Sequence, residues 1–282
     1  MADWELLVDG VDFGEGPRWH EGRLWYSDFF QRAVYSVGLD GDRRVEVGNT
    51  DDRPSGLGWL SDGSLIAVFM TQRKLMRHIG GDDWEEYADL SKFAAWHCND
   101  MVIDERDVAY VGNFGFDLEG RASFETANLI IVRADRTVAL AADDMKFPNG
   151  SVITPDGVTL IVGESFGGDY IAFTIQPDGS LTDRRVWAEI PGTAPDGCAL
   201  DADGGIWFSD AIGSQVVRVK EGGEVTDRVP TPQPTYACAL GGADGTTLFA
   251  LCAPGSHPDE VAGRGGGAIY ARSVIFPGAG RP

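Results

Sequence analysis

Four oxygen-bearing side chains, Glu15, Asn99, Asn149 and Asp196, stand at matching places in short corner segments spread along the 282-residue chain. The corners read Gly14-Glu15-Gly16-Pro17, Pro54-Ser55-Gly56-Leu57, Cys98-Asn99-Asp100-Met101, Pro148-Asn149-Gly150-Ser151, Pro195-Asp196-Gly197-Cys198 and Tyr236-Ala237-Cys238-Ala239. The carboxylates of Glu15 and Asp196 and the amide oxygen of Asn149 are the donors a hard divalent cation prefers. Three protein ligands leave positions open for water and substrate, as a catalytic ion requires. Calcium is the first candidate, and magnesium or manganese suits the same donors. Zinc fits less well, because only Cys98 and Cys198 offer softer atoms at matched positions. Any one Asn or Asp here also reads as a turn former that caps local backbone groups. Glu15, a poor turn former between two glycines, does not.

Residues this far apart meet only if the chain brings its corners round to one place. With Glu15, Gly56, Asn99, Asn149, Asp196 and Ala237 as anchors, the gaps are 41, 43, 50, 47 and 41 residues. A period of about 40 to 50 residues built from short strands marks a β-propeller with one four-stranded blade per repeat. The fold expected is therefore all-β, a six-bladed propeller in which corresponding positions converge on a central channel. After each corner a tight turn such as Pro155-Asp156-Gly157 leads to an apolar strand, for example Leu24-Trp25-Tyr26-Ser27 or Ile206-Trp207-Phe208-Ser209. Asp-Gly at these turns supplies the positive φ that a tight hairpin needs. Third strands follow in each repeat, and outer fourth strands are weaker signals, such as Arg185-Val186-Trp187-Ala188. Glu5-Leu6-Leu7-Val8 precedes every corner and is expected to pair with the last blade, closing the ring and removing a sheet edge. Helical periodicity is nearly absent, with one short turn expected between Asp83 and Phe93. Two longer segments, 113–128 and 253–267, are placed to cover a mouth of the channel.

Composition bounds the function. A formal net charge of −21 makes nucleic acid and anionic membranes poor partners. At 43 % hydrophobic residues the chain can bury a large core, and residues 1–282 read as a single propeller domain. No apolar run approaches the ~18 residues of a membrane span, and the N-terminal residues lack the pattern of a secretory signal. Cys98, Cys198, Cys238 and Cys252 show no Cys-x-x-Cys spacing, which suits a reduced, cytoplasmic protein. A monomer or weak homo-oligomer is expected.

The ordered set of motifs resembles the SMP-30/gluconolactonase/LRE (regucalcin-like) family. It comprises Gly14-Glu15-Gly16-Pro17 with Trp25-Tyr26-Ser27-Asp28, then Asn99-Asp100 with Asp104, Pro148-Asn149-Gly150 with Pro155-Asp156-Gly157, and Pro195-Asp196-Gly197 with Asp203-Gly204 and Trp207. The resemblance implies a metal-dependent lactone hydrolase. Glu15, Asn149 and Asp196 would be the metal ligands, Asp196 also the base that activates water, and Asn99 a residue that orients the substrate. Sugar-lactonase members carry an arginine two residues before that asparagine; here the place is taken by His97, preceded by Trp96. The glutamate that members carry further along corresponds to Asp117. Trp96, His97 and Asp117 are thus expected to bind substrate.

Losing the arginine removes a multidentate partner for sugar hydroxyls. Phe69, Met70, Phe114, Phe116, Phe147, Phe166 and Tyr236 would join Trp96 and His97 in lining an aromatic mouth, although each also reads as packing between blades. A lactone or ester with fewer hydroxyls follows. A phosphotriesterase-like hydrolase needs the same ion and base, and a calcium-binding propeller without turnover needs the same ligands, so both stay open. Nucleophilic catalysis has no support: Gly163-Glu164-Ser165-Phe166-Gly167 mimics a nucleophile elbow without the strand-to-helix turn that elbow requires.

Overall fold

The computed structural model describes residues 3–280. It is a six-bladed β-propeller of six four-stranded antiparallel sheets, five of them built from four consecutive strands. The innermost strands are Gly14–His20, Pro54–Trp59, Cys98–Ile103, Pro148–Ile153, Pro195–Leu200 and Thr235–Gly241. Each begins at one of the six corners, and each touches its neighbours round the ring. The sixth sheet takes its outer strand from the start of the chain: Glu5–Val11 pairs with Gly267–Ser273, and this pairing closes the ring.

Strand burial follows distance from the axis. Second strands such as Leu65–Phe69 and Ile206–Asp210 are buried throughout, whereas the outer strand Val225–Pro230 is mostly exposed. Apolar second and third strands form cores between adjacent blades, for instance Ile66, Val68 and Leu75 against Met101, Val111 and Ile130. All four cysteines are free and buried, Cys98, Cys198 and Cys238 on innermost strands and Cys252 on a second strand. Among the described residues no helix is long and apolar enough to cross a membrane.

One local expectation is corrected in part. Of the span 83–93 expected to make a short helical turn, Asp83–Asp89 is an outer strand paired antiparallel with Lys74–Gly80, and the turn follows it, where Phe93 N–H and Ala94 N–H donate to the Leu90 carbonyl at 2.9 and 3.0 Å. The strand's partner, not its own periodicity, decides its conformation, because a sheet edge offers it a full ladder of hydrogen bonds. Among the described residues the one α-helix is Pro258–Val261, inside the second long loop. Pro258 opens it, and His257 caps it by accepting the Asp259 N–H at Nδ1.

Every innermost strand carries one more residue than its partner over the same stretch. Glu15 faces Ser27 while Arg18 faces Trp25; Pro148 faces Glu164 while Ser151 faces Val162; Pro195 faces Asp210 while Cys198 faces Phe208. The same bulge recurs at Pro54–Leu57, Cys98–Met101 and Thr235–Ala237. A bulge re-aims a side chain out of the alternation of the pleat. Repeated six times at one level, it builds a ring of side chains at one end of the channel. The register also moves two anchors by one residue: the positions equivalent to Glu15 are Ser55 in the second blade and Tyr236 in the sixth.

Candidate functional site

The bulges deliver Glu15, Asn99, Asn149 and Asp196 to the floor of one cavity of about 590 Å³. Tyr236 from the sixth blade joins its lining. A second, offset ring comes from the turns that follow the second strands. Phe29 and Phe30, Met70, Phe114, Ser165 and Phe166, and Ala211 and Ile212 come from five successive blades. Both rings are periodic, because propeller symmetry repeats positions as well as strands.

Asn149 shows how the floor is set. Its Nδ2 donates to Ser165 Oγ at 3.1 Å, and Ser165 Oγ donates in turn to the Pro195 carbonyl at 2.6 Å. The amide nitrogen is thereby fixed, and Oδ1 is left buried without any partner. A buried acceptor without a donor costs about 1–3 kcal/mol, and a cation at the floor would remove that cost. The Asn99 side chain makes no hydrogen bond within the described residues and faces the same space. Ser165 belongs to the Gly-Glu-Ser-Phe-Gly segment; its role here is to hold Asn149. Its place directly after a second strand was the available signal, had the second ring been sought.

The charges at the floor are crowded. Burial pushes the Glu15 carboxyl well up, and the nearby charges of Asp196 and Asp100 push it further, against the Gly16 N–H at 3.1 Å and Arg18. Burial likewise raises Asp196 to about 8, with the neighbouring Asn149 amide holding it back. Without a counter-ion both carboxyls therefore tend to hold protons, which is the state two enclosed acids adopt when nothing neutralises them. Two carboxylates, an orphaned amide oxygen and a free amide are a donor set that fits a hard divalent cation. No three His, Cys, Asp or Glu side chains gather in a metal-holding arrangement among the described residues; the set at the axis is half amide.

Beneath this floor Arg18 closes the channel. Its Nη2 reaches Asp100 Oδ1 at 2.7 Å and the Met101 carbonyl, and its Nη1 donates to the Pro17 carbonyl. Asp100 and Arg18 are both buried, so the pair joins the first and third blades across the axis. Below lies a smaller apolar cavity, about 140 Å³, lined in part by Gly278, Ala279 and Gly280. The Arg18–Asp100 pair thus lies between the two cavities.

The remaining residues expected at the site lie behind its wall. His97 stacks on Trp96 at 5.2 Å and tilts against Phe114, and neither it nor Trp96 lines the cavity. Burial lowers the basicity of the His97 ring, Glu119 opposing it. Asp117 turns inward on its own loop, where Oδ1 accepts the Gly120 N–H at 2.7 Å. That turn presents Leu118, Glu119 and Arg121 to the cavity in its stead. Met70, Phe114, Phe147, Phe166 and Tyr236 line the walls, whereas Phe69 is packed between blades and Phe116 stands behind Phe147 and Phe166.

The two long loops meet over the mouth. His257 Nε2 lies 3.3 Å from the Glu119 carbonyl, and the Glu119 carboxylate pairs with Arg53. Asp12 holds the second loop by accepting the N–H groups of Gly263 and Gly265, both at 2.7 Å. Val261 of the short helix is buried against the aromatic wall.

Beside the wall, Glu164 accepts the Lys146 N–H at 3.0 Å and sits next to Asp169. Burial, then the Asp169 carboxyl, raises Glu164 from 4.5 to about 7. Folding thus strengthens its hold on the proton, so its contribution to stability is present below about pH 4.5 and is lost as pH rises to about 7. Glu164→Gln is expected to flatten that part of the pH profile and to raise stability at pH 8, by less than the full shift implies because the ion pairs of Glu164 with Lys146 and Arg184 are lost with its charge. Thermal melts of metal-free protein between pH 5 and pH 8 read it; an unchanged slope in the variant assigns the titration to another group.

A family profile described as SMP-30/Gluconolactonase/LRE-like region matches residues 13–253. The chain belongs to this family. Among SMP-30 relatives it is 27 % identical over 161 residues to a 6-deoxy-6-sulfogluconolactonase from Pseudomonas putida, a match covering 55 % of each chain. It is 28 % identical over 134 residues to an L-arabinolactonase from Azospirillum brasilense, covering 46 % of this chain and 45 % of that one. The matches thus span about half the length of these curated relatives. A structure described as a calcium-binding protein, regucalcin, from Agrobacterium tumefaciens superimposes with a TM-score of 0.83 at 19 % identity, over 100 % of this chain and 97 % of that one. At that identity the likeness speaks for the SMP-30 propeller itself.

Proposed function

We propose that this protein hydrolyses a lactone with the help of one divalent cation, calcium before magnesium, manganese or zinc. The observation that carries the reading is Asn149 Oδ1, buried without a partner on the same floor as the crowded carboxyls of Glu15 and Asp196. Two relatives named as lactonases and a neighbour described as calcium-binding support it. Glu15, Asn149 and Asp196 would hold the cation. Bound there, it supplies Lewis acidity toward the lactone carbonyl and draws both carboxyls into their ionised form.

Asp196 then acts as base. A water oxygen adds to the acyl carbon while its proton passes to the Asp196 carboxylate. The carbon–oxygen bond of the ring breaks, and the leaving alkoxide takes the proton back, giving a hydroxy acid. Asn99, with its amide free, orients the lactone by hydrogen bonding. Free thiols at all four cysteines fit a cytoplasmic setting.

The test is turnover by metal-stripped protein on aliphatic and sugar lactones, followed as acid release with an indicator dye, with each cation added back. Hydrolysis restored by calcium or a like ion is expected. Full activity in a chelator removes the cation from the reaction; tight calcium binding with no turnover across the panel makes the protein a binder.

A further inference from the structure

The floor of the cavity is polar and its walls are mostly apolar. At about 590 Å³ it is the size that encloses a ligand of many heavy atoms rather than a bare lactone ring. Above Glu15, Asn99, Asn149 and Asp196 the walls are Phe13, Phe29, Met70, Phe114, Phe147 and Tyr236. A ligand rich in hydroxyls would need partners there, and most polar side chains above the floor are already engaged. Ser165 serves Asn149 and the Pro195 carbonyl, and Thr193 donates to the Ile190 carbonyl at 2.7 Å. Glu119 pairs with Arg53, the Tyr236 hydroxyl sits beside Ser256, and both His257 nitrogens face loop backbone. The Arg121 guanidinium keeps its donors free, and the Tyr236 and Ser256 hydroxyls keep one between them. Site groups left without a partner discriminate strongly between ligands, and so do ligand hydroxyls that would lose their water in an apolar wall.

The apolar surface also continues outward. Phe166 is 51 % exposed and Ile212 72 % exposed, and both line the cavity from turns of adjacent blades. Phe124 (43 %) stacks on Phe166 at 5.4 Å, and Leu118 (37 %) faces the mouth from the same long loop. Four large exposed apolar side chains gathered on one rim mark a binding surface, whereas scattered ones do not. Continuity with the cavity points to the occupant: the part of the substrate that does not fit inside.

We infer that the substrate is a lactone bearing an extended alkyl or aryl substituent, whose ring lies on the polar floor and whose tail leaves between Phe166 and Ile212. This rests on the lactonase reading and specifies its substrate class. Phe166 and Ile212 become specificity-determining residues.

The experiment uses the full chain with calcium and γ-butyrolactones substituted at the ring carbon beside oxygen with hydrogen, methyl, propyl, pentyl and heptyl, beside D-glucono-δ-lactone. kcat/KM is expected to climb by about threefold per methylene through pentyl, in line with the transfer free energy of a methylene, and to exceed that for the sugar lactone. A flat series, or a preference for the sugar lactone, overturns the inference and leaves lactone hydrolysis standing. Calorimetry with alkyl-substituted cyclopentanones, which have no bond to hydrolyse, separates the two claims: affinity that grows with chain length while no lactone is turned over keeps the apolar subsite and sinks the lactonase. Phe166→Ser and Ile212→Asp, both at exposed positions, are expected to flatten the chain-length dependence at least fivefold between methyl and pentyl, with melting temperatures confirming the fold. Variants that keep the dependence but dissociate an oligomer make the rim an interface between copies, and the inference falls.

Discussion

Asp196→Asn is expected to lower kcat/KM on any lactone substrate by about a thousandfold, the usual scale for loss of a positioned base. The change keeps the shape of the side chain and removes both its charge and its capacity to take a proton. Stability should move the other way. Burial holds the Asp196 carboxyl at about 8, against an ordinary 3.8, so the folded protein without a cation favours the neutral acid and gains nothing from a charge there. An amide has no ionised form to desolvate, and metal-free Asp196→Asn should melt several degrees higher than wild type at pH 8. A side chain kept for packing would show the reverse pattern. Activity within threefold of wild type at saturating calcium would falsify the assignment of Asp196 as base.

Gly150→Ala is the second large effect, and its cause is space rather than backbone conformation. A Cβ at this position would stand 2.3 Å from the Asp196 carbonyl and 2.8 Å from the Cys198 nitrogen. Both are backbone atoms of the next inner strand, so neither can swing aside. The strands Pro148–Ile153 and Pro195–Leu200 must separate, at a cost of about 3 kcal/mol, the upper range for overpacking. Those strands carry Asn149 and Asp196, and a shift of about 1 Å between catalytic groups costs on the order of a hundredfold in rate. Thermal melts and kcat at saturating calcium should therefore fall together. Gly157→Ala, in a turn of the same blade, is the control. There φ is +72° and the added Cβ would meet nothing within 4 Å, so stability drops by about 1 kcal/mol while kcat stays intact. If Gly150→Ala melts like wild type and keeps its rate, the close approach of these strands does not hold the floor in shape.

The two substitutions bear on different sides of one construction. Bulges in six inner strands turn side chains toward the axis, and glycines next to those side chains let neighbouring strands come near enough to gather them on one floor. Gly16, Gly56, Gly150 and Gly197 each meet backbone or Cβ atoms of the following blade within 3.0 Å of an added Cβ. In the third blade Asp100 fills the corresponding place, where its carboxylate takes the Arg18 guanidinium and closes the channel. The floor is therefore crowded by design of the ring, with its unsatisfied atoms facing the cavity.

Much of this is legible in the chain because a propeller repeats. Strand type, blade count and ring closure depend on local patterns: short apolar runs, Asp-Gly turns and a spacing near 45 residues. The residue types Glu15, Asn99, Asn149 and Asp196 stand out for the same reason, since symmetry makes position in the repeat equivalent to position round the axis. Other features depend on atoms far away in sequence. The bulges, and with them the one-residue shift to Ser55 and Tyr236, arise from pairing against a second strand. The strand at Asp83–Asp89 forms because an edge was waiting for it. Asp117 turns back onto Gly120 and yields the wall to Glu119, whose place is held by Arg53 from another blade and by His257 from the opposite loop. His97 and Trp96 stack on each other behind Phe114. Side-chain direction in a loop is decided by whichever partners the fold brings near, and no spacing within the loop encodes them. The sequence by itself determined which groups could gather at the axis; only the tertiary structure decided how they are aimed, what lines the space above them, and that this lining is mostly apolar.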